Sequence, residues 1–490
     1  MKINMIKQNS VKVNFIMNAF LTISSFIFPL ITFPYVSRIL MPEGTGKVSF
    51  VTSVITYFSM FAQLGIPTYG IRACAKVRDN KIELSKVVHE LLFINLIMSV
   101  LTYVIFGICL FTVQRFQTEK ALFVIISTTI FFNTIGVEWL YKGLEQYTYI
   151  TIRSLIFKII ALFAMLGLVH KKEDYIIYGA ITIFAASASN VLNFLNAHKY
   201  VYIKPLKNYD LKQHIKPVLI FFAMSCATVI YTNLDTVMLG FMKSNADVGY
   251  YNAAVKIKGV LLGVVTSLGT VLLPRASYYI EHDMKEKFLS ISQKAIEFVF
   301  LISIPLTIYF MIFAKEGIFF LSGSAYEGAI IPMQIIMPTI LWIGLTNIMG
   351  MQMLVPMGKE KIVLYSEIAG AIVDLAINFT LIPSMASIGA AIGTLVAEMV
   401  VWIVQFWALK KFVLALYSRI NCGKIVIAVI FSVLGSVWIK KLSCGSFVTL
   451  LVSGILFLGL YLLILTIERE TLIIEIENQV LDVIKKKRNK

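Results

Sequence analysis

The feature that most constrains this chain is a succession of apolar runs, each about as long as a helix that crosses a bilayer. A transmembrane helix needs about 20 predominantly apolar residues. Runs of this kind lie at 14–37, 47–70, 87–112, 121–141, 154–169, 175–197, 217–242, 250–273, 295–314, 330–350, 362–382, 388–409, 425–439 and 447–467. With only 14% charged residues among 490, the chain cannot cover such runs as a water-soluble domain. The sequence predicts an all-α integral membrane protein with about 14 transmembrane helices.

The basic residues favour one orientation of these helices. If the N-terminus lies in the cytoplasm, 31 of the 44 lysines and arginines fall in cytoplasmic segments and 10 fall in external loops. The positive-inside rule then predicts that both termini are cytoplasmic. The net charge of +17 is explained by these loops, so no nucleic-acid partner is expected.

Two short similarities relate the halves of the chain. Residues 29–55 and 232–259 each contain an apolar run, a turn with glycine and a second apolar run, and they match when Gly46 is set against Gly249. Gly143-Leu144-Glu145 and Gly358-Lys359-Glu360 form a second match. Internal repeats are common in transporters.

The repeat predicts three parts. Residues 1–200 and 201–415 form two pseudo-symmetric six-helix bundles, and residues 416–490 form two additional transmembrane helices with a basic cytoplasmic tail.

Polar side chains recur at helical spacing in the first run and in the seventh, its counterpart in the repeat. These candidate cavity residues are Asn18, Thr22, Ser25, Thr228, Thr232 and Asp235. Steps of three and four residues place each set on one helix face. Such a stripe either packs against a neighbouring helix or lines a wet cavity.

Four basic residues lie within or at the edge of apolar runs. They are Arg38, Lys158, Lys256 and Lys258. A charge at the bilayer centre costs about 2.5–3.5 kcal/mol on insertion scales, so such groups usually face a protein interior or a cavity. Snorkelling to the interface is the alternative, and Lys158 lies only about one turn into its run.

Three acidic residues occur deep in the second half. Glu367 and Asp374 share a face of the eleventh run, and Glu398 lies near the middle of the twelfth. A buried carboxylate is a candidate for proton or sodium coupling, and an internal ion pair is the alternative.

Several kinds of chemistry find no support in the sequence. The five cysteines form no CxxC pair, and the five histidines have no ligand spacing, so neither a metal site nor a cofactor is expected. No GxxxxGK[ST] motif suggests direct use of ATP.

Four motifs carry a resemblance to a known family. They are FPYVSRILMPEGTGKVSF, QLGIPTYGIRACAKVRDN, GLEQY and LDTVMLGFMKSNADVGYYNAAVKI. With them, essentially the whole chain resembles bacterial polysaccharide flippases of the Wzx type. These belong to the multidrug/oligosaccharidyl-lipid/polysaccharide exporter superfamily.

The resemblance implies a function. The protein would move an undecaprenyl-pyrophosphate-linked oligosaccharide from the inner to the outer leaflet of the bacterial cytoplasmic membrane, by alternating access, for capsule, O-antigen or exopolysaccharide synthesis. Its partners would be this substrate, membrane lipid and the polysaccharide polymerase machinery, and it would not be an enzyme. The four cations would then bind the pyrophosphate and the polar stripes the sugars.

Two other functions remain open from the sequence. One is a cation-coupled multidrug exporter of the same superfamily, although the first half lacks the mid-span carboxylate that organic cations would favour. The other is a membrane polysaccharide polymerase or glycosyltransferase, which would be expected to carry a larger loop or soluble domain than this chain has.

Overall fold

The computed structural model describes residues 11–417, 420–442, 444–470 and 473–474. Within these ranges the regular structure is helical and contains no β-strand. The chain divides into two compact units, Met1–Gly249 and Tyr250–Lys490. The predicted boundaries at residues 200 and 415 stay a prediction.

The first unit contains ten α-helices and the beginning of an eleventh among its described residues. These are α1 (Val11–Gln63), α2 (Ile66–Lys76), α3 (Lys81–Thr112), α4 (Gln114–Gln117), α5 (Lys120–Ile135), α6 (Glu138–Gly143), α7 (Tyr147–Leu168), α8 (Tyr175–Ile183), α9 (Asn190–Asn196), α10 (Lys212–Met242) and α11 (Asn245–Glu281). A π-helical turn, Phe184–Ala188, follows α8 before α9 begins.

The second unit continues from α11 through eight further α-helices. These are α12 (Lys285–Ile312), α13 (Ala314–Ser322), α14 (Ile330–Ile336), α15 (Thr339–Asn347), α16 (Glu360–Met385), α17 (Ser387–Tyr417), α18 (Cys422–Ser436) and α19 (Ser446–Ile467). A second π-helical segment, Ile348–Leu354, follows α15.

The all-α membrane class is confirmed, while the count of fourteen spans stays a prediction. By length and composition, 11 described helices can cross a membrane, or 12 if a bent pair is one span. The first predicted run and most of the second fall in α1, which is interrupted at Met41 (φ 58°, ψ 178°). The fourth run is represented by α5, which has only 16 residues.

The interruption of α1 leads into a close contact with the start of α11. Pro42 follows Met41, and a residue before proline is disfavoured in the helical region. A Cβ at Gly46 would overlap the Asn245 carbonyl oxygen and lie 2.7 Å from its carbon. A Cβ at Gly249 would overlap the Pro42 carbonyl oxygen and lie 2.8 Å from its carbon. In the register that matches Gly46 with Gly249, Pro42 matches Asn245, so the two contacts are reciprocal.

Polar side chains reinforce this contact within the first unit. Asn245 Nδ2 donates to Oε1 of Glu43 at 2.8 Å, and Arg115 donates to Oδ1 of the same asparagine. Arg115 Nε also donates to the Gly240 carbonyl at 2.8 Å. The turn after α1's interruption is thereby tied to the end of α10 and the start of α11.

The opposite end of α10 is fastened through a buried carboxylate on α3. Glu90, whose side chain is fully buried, accepts hydrogen bonds from the Asp210 backbone N–H at 2.6 Å and from His214 Nε2 at 2.8 Å. Gln213 Nε2 donates to the same carboxylate at 3.2 Å. The Tyr69 hydroxyl of α2 lies 2.9 Å from Nδ1 of His214. Three helices therefore meet at one polar cluster.

Candidate functional site

A break in the fourth apolar run positions the polar groups of the first unit. Helix α5 ends at Ile135, and α6 begins at Glu138 after Val137, which has φ 36° and ψ 37°. A β-branched residue in this left-handed region is strained, and such strain is concentrated at functional sites. Val137 is 2% exposed, so packing holds it there. Broken helices are also typical of transporter binding sites.

The break places Glu138 beside a buried arginine of α7. The Arg153 side chain is only 4% exposed, and its NH2 lies 3.6 Å from Glu138 Oε2. Lys142 Nζ lies 2.8 Å from the other oxygen of Glu138. Arg153 NH1 also donates to the Ser189 carbonyl at 3.2 Å, just after the π-helical turn. The arginine is therefore paired with a carboxylate that it shares with Lys142, and it is held by protein groups.

Two asparagine side chains extend this network from Arg153. Arg153 NH1 donates to Oδ1 of Asn190 at 3.5 Å, and Asn190 Nδ2 donates to Oδ1 of Asn133 at 3.2 Å. Asn193 Nδ2 donates to the same Asn190 oxygen at 3.4 Å. The chain of hydrogen bonds thus runs from α7 through α9 to α5 and ends at Asn133.

Asn133 lies in the wall of a cavity of about 440 Å³ inside the first unit. Helices α1, α5, α8 and α10, the first residues around α2 and the π-helical turn supply the wall. The lining residues are Thr52, Ile55, Thr56, Ser59, Met60, Gln63, Gly65, Pro67, Ile126, Thr129, Asn133, Thr182, Ile183, Ala186, Ser225 and Val229. Among the described residues, the wall thus contains hydroxyls, two amides and apolar groups, and no charged side chain.

Lys158 lies on another side of α7 and faces α1. Its Nζ donates to the hydroxyls of Ser24 at 2.9 Å and Ser25 at 3.0 Å. Among the described residues, no carboxylate forms an ion pair with it. Helix α7 begins at Tyr147, earlier than the apolar run. Lys158 is therefore about 16 Å along the helix at 1.5 Å per residue, not one turn from its end.

The other predicted residues of the first unit lie apart from this cavity. Asn18, Thr22 and Ser25 are on an exposed face of α1, and Arg38 is exposed and donates to the Pro34 carbonyl. Thr228 and Thr232 are exposed and donate to carbonyls of their own helix, and Asp235 is buried. Of the predicted stripes, the structure brings Ser25 together with Lys158.

The predicted residues of the second unit lie on α11, α16 and α17. Lys256, Lys258 and Glu367 are half-buried, while Asp374 and Glu398 are buried.

Asp374 lies where α16 and α17 approach closely. A Cβ at Gly393 of α17 would lie 2.8 Å from Oδ1 of Asp374 and would overlap Oδ1 of Asn378. Farther along the same pair of helices, Gln405 Nε2 donates to the Ser366 hydroxyl at 3.0 Å. The interface between these two helices therefore contains polar side chains.

Sequence reasoning missed the residues of the hydrogen-bond chain. Arg153 stands before the fifth apolar run and resembles an ordinary interface anchor, and Asn133 and Asn190 are single amides in apolar surroundings. The stretch NTIGVEW, residues 133–139, could have indicated a polar site in this part of the chain. It combines an amide, a glycine and an acid inside a run predicted to cross the bilayer.

Comparison with known proteins decides the family. Residues 11–280, more than half of the chain, match the family described as "Polysaccharide biosynthesis protein". The chain belongs to this polysaccharide biosynthesis protein family. Family membership confirms the resemblance that the sequence motifs indicated.

Curated relatives of this family member extend over most of its length. It is 24% identical over 380 residues to a "Putative O-antigen transporter" of Escherichia coli (strain K12), covering 77% of this chain and 91% of the relative. It is also 24% identical over 391 residues to a protein of the same name from Shigella dysenteriae, covering 79% and 97%.

Solved structures place this family member in a known fold. It is similar to an inward closed conformation of the lipid II flippase MurJ, with a TM-score of 0.72, 15% identity, and coverage of 94% of this chain and 100% of that chain. It is also similar to an inward-facing multidrug resistance MATE transporter of the MOP superfamily, with a TM-score of 0.62, 14% identity, and coverage of 82% and 99%. The family member therefore has the fold of this superfamily.

Proposed function

We propose that this protein is a flippase that moves an undecaprenyl-pyrophosphate-linked oligosaccharide from the inner to the outer leaflet of a bacterial cytoplasmic membrane by alternating access. Family membership, the names of its relatives and the shared fold support a membrane transporter of polysaccharide precursors. Capsule, O-antigen or exopolysaccharide would be the product that receives the exported unit.

The assignment of a pyrophosphate-containing substrate rests on the surroundings of Lys158. It is half-buried near the middle of a transmembrane helix, and its hydrogen bonds go to two neutral hydroxyls. A cation at such depth is costly unless an opposite charge approaches it. A pyrophosphate supplies that charge, and charge-assisted hydrogen bonds are stronger than neutral ones.

The remaining predicted residues have secondary roles in this proposal. Arg38, Lys256 and Lys258 would add positive charge along the path, and Asn18, Thr22, Ser25, Thr228, Thr232 and Asp235 would offer polar contacts to it. Glu367, Asp374 and Glu398 would couple transport to protons or sodium. The termini would lie in the cytoplasm, and the polymerase machinery would receive the exported unit.

The first test compares the leaflet distribution of lipid-linked oligosaccharide in cells with and without the protein. Loss of the protein should leave the oligosaccharide on the cytoplasmic side and remove the surface polysaccharide. An unchanged distribution would contradict the proposal and direct attention to the export of small solutes, as in a multidrug exporter.

The second test changes Lys158. Lys158→Gln should reduce export about tenfold or more, because a hydrogen bond to a charged group contributes about 1.5–3 kcal/mol. Lys158→Arg keeps the charge and should retain most of the export.

The matched control is Lys120→Gln, which removes an exposed cation at the start of α5. Export should then stay at the wild-type level. Full export by Lys158→Gln, at a normal amount of protein in the membrane, would remove Lys158 from the pyrophosphate site.

A further inference from the structure

We propose that the cavity of the first unit binds an uncharged sugar of the lipid-linked substrate, and that Asn133 determines specificity by donating a hydrogen bond to it. Arg153 is a positioning residue that sets the direction of the Asn133 amide through Asn190. This proposal rests on the proposed function and adds to it a place and a partner for the sugar.

The composition of the cavity wall selects the kind of ligand. Its polar members are hydroxyls and amides, and none of its 16 residues is charged. Its volume of about 440 Å³ is within the usual range for small-molecule pockets, about 300–1,000 Å³. A pyrophosphate would bind poorly there, because a buried anion needs a cation or several hydrogen-bond donors close to it. A neutral sugar matches both the hydroxyls and the apolar patches of this wall.

The direction of the amide chain follows from the chemistry of arginine. A guanidinium can only donate, so Asn190 must present its oxygen to Arg153. The Asn190 amide nitrogen then faces Asn133, which must present its own oxygen in return. The Nδ2 group of Asn133, with two hydrogens, is thereby left for the cavity. One buried cation thus fixes a hydrogen-bond donor two side chains away.

Gly136 leaves room for the Asn190 side chain, which links Arg153 to Asn133. A Cβ at this glycine would lie 2.5 Å from Cγ and 2.8 Å from Nδ2 of Asn190. These distances are shorter than van der Waals contact, so only a glycine allows the asparagine to lie against the break between α5 and α6. The broken helix therefore serves the cavity by admitting Asn190.

A second polar group, the Thr129 hydroxyl, lies beside Asn133 in the cavity wall. The Thr129 hydroxyl is buried and has no hydrogen-bond partner among the described residues. It precedes Asn133 by four residues on α5, so both side chains lie on one face of the helix. An unsatisfied buried hydroxyl is unfavourable until a ligand or water reaches it. Together the two groups can bind neighbouring hydroxyls of one sugar ring.

The test measures how a sugar changes the affinity of the purified full-length protein for its lipid carrier. The probes are bare undecaprenyl pyrophosphate and the same lipid carrying one glucose, galactose or N-acetylglucosamine. The ratio of the dissociation constants of bare and sugar-bearing lipid is determined for each variant in the same detergent, and thermal unfolding checks that each variant is folded.

The wild-type protein should bind at least one sugar-bearing probe more tightly than the bare lipid. Asn133→Ala should lower this ratio about three- to tenfold, the range of one neutral hydrogen bond. Arg153→Gln, which can present either a donor or an acceptor, should lower it as well. In Arg153→Lys the side chain can still only donate hydrogen bonds, so the ratio should be closer to that of the wild type than in Arg153→Gln. If Arg153 only stabilised the fold, the two variants would not differ in this way. Thr128→Val is the control, because the hydroxyl of this exposed threonine of α5 donates to the Ile125 carbonyl of its own helix.

The two proposals fail in distinguishable ways. If Lys158→Gln weakens binding of all probes while Asn133→Ala leaves every ratio unchanged, the sugar site is wrong and the flippase proposal stands. If the wild-type protein binds none of the probes, including the bare lipid, the proposed function itself is contradicted. A ratio of one for the wild-type protein with all three sugars also overturns the sugar site.

Discussion

Lys158 and Arg153 are five residues apart on α7, yet their side chains contact different groups. At 100° per residue their side chains point about 140° apart. Arg153 faces Glu138, the Ser189 carbonyl and Asn190, whereas Lys158 faces the hydroxyls of α1. The arginine already has a carboxylate partner in the protein, so it suits a structural task. The lysine forms no ion pair among the described residues, so an anionic ligand can approach it.

At Gly46 the absence of a side chain permits backbone contact, and this gives a prediction. Gly46→Ala would force a methyl group into the Asn245 carbonyl, so we expect a loss of about 1–3 kcal/mol in stability. The melting temperature in detergent should fall by several degrees. Gly167→Ala is the control, since no described atom beyond the local backbone lies within 4 Å of the added Cβ, and alanine favours helix. Equal melting temperatures for both variants would show that the Gly46 contact is absent in the folded protein.

The sequence predicted candidate residues by charge and spacing but not their depth. The fifth apolar run begins at 154, because Arg153 and the polar residues before it lower the hydropathy, while α7 begins at Tyr147. Lys158 consequently looked close to an interface. Hydropathy cannot distinguish a polar residue in water from one that is buried against a partner, and that partner, Glu138, belongs to another helix.

Helix α10 is held by polar contacts at both ends. Its start is bound to α2 and α3 through Tyr69, His214 and Glu90, and its end is bound through Gly240 and Arg115. Fixed ends suit a helix whose middle contributes Ser225 and Val229 to the cavity wall. The position of that wall therefore depends on the two polar attachments.

The attachment at Glu90 gives a prediction for the whole helix. Glu90→Leu would leave His214, Gln213 and the Asp210 N–H without their buried acceptor, so we expect a loss of about 3–5 kcal/mol. Glu90→Gln keeps one acceptor oxygen and should lose less. Thermal unfolding in detergent and protease sensitivity of the 204–212 segment measure the effect. This attachment of α10 is refuted if Glu90→Leu unfolds at the same temperature as the wild type and its 204–212 segment is equally resistant to protease.

The existence of the long helices was predictable, but their interruptions were not. Most apolar runs overlap a helix because a bilayer leaves no other partner for backbone groups. The break at Val137 and the π-helical turn at Phe184–Ala188 arise from tertiary packing. Valine carries no local signal for a left-handed conformation, since it is among the residues least suited to it. The site of the first unit is built on these two irregularities.

At the scale of the whole molecule, the sequence predicted class and family better than helix number. Motifs distributed along the chain indicated the exporter superfamily, and the family match and the MurJ fold agree. Counting helices by apolar length gives 11 or 12, because α1 merges two predicted runs and α5 is short. The repeat register was visible as glycines at matched turns, but their mutual contact required the structure.

Orientation in the membrane gives a prediction for the complete chain. In a protein whose five cysteines are replaced by serine, a single cysteine at Lys171 should react with a membrane-impermeant maleimide added to intact cells. A single cysteine at Lys204 should react only after the membrane is opened. Both positions are exposed, so protein burial does not block either reaction. The reverse pattern would place the basic loops outside and overturn the orientation.

The reciprocal contact of Gly46 and Gly249 has an evolutionary consequence. A half-length ancestor that paired with a copy of itself would need one patch that recognises its own image, as in any isologous dimer. Once two copies are fused in one gene, that requirement lapses and each patch can diverge. In the present chain the two sides differ, because Pro42 contributes backbone to the contact, whereas the Asn245 side chain also binds Glu43 and Arg115. A fusion of two such copies would therefore permit a symmetric contact to gain side-chain hydrogen bonds on one side alone.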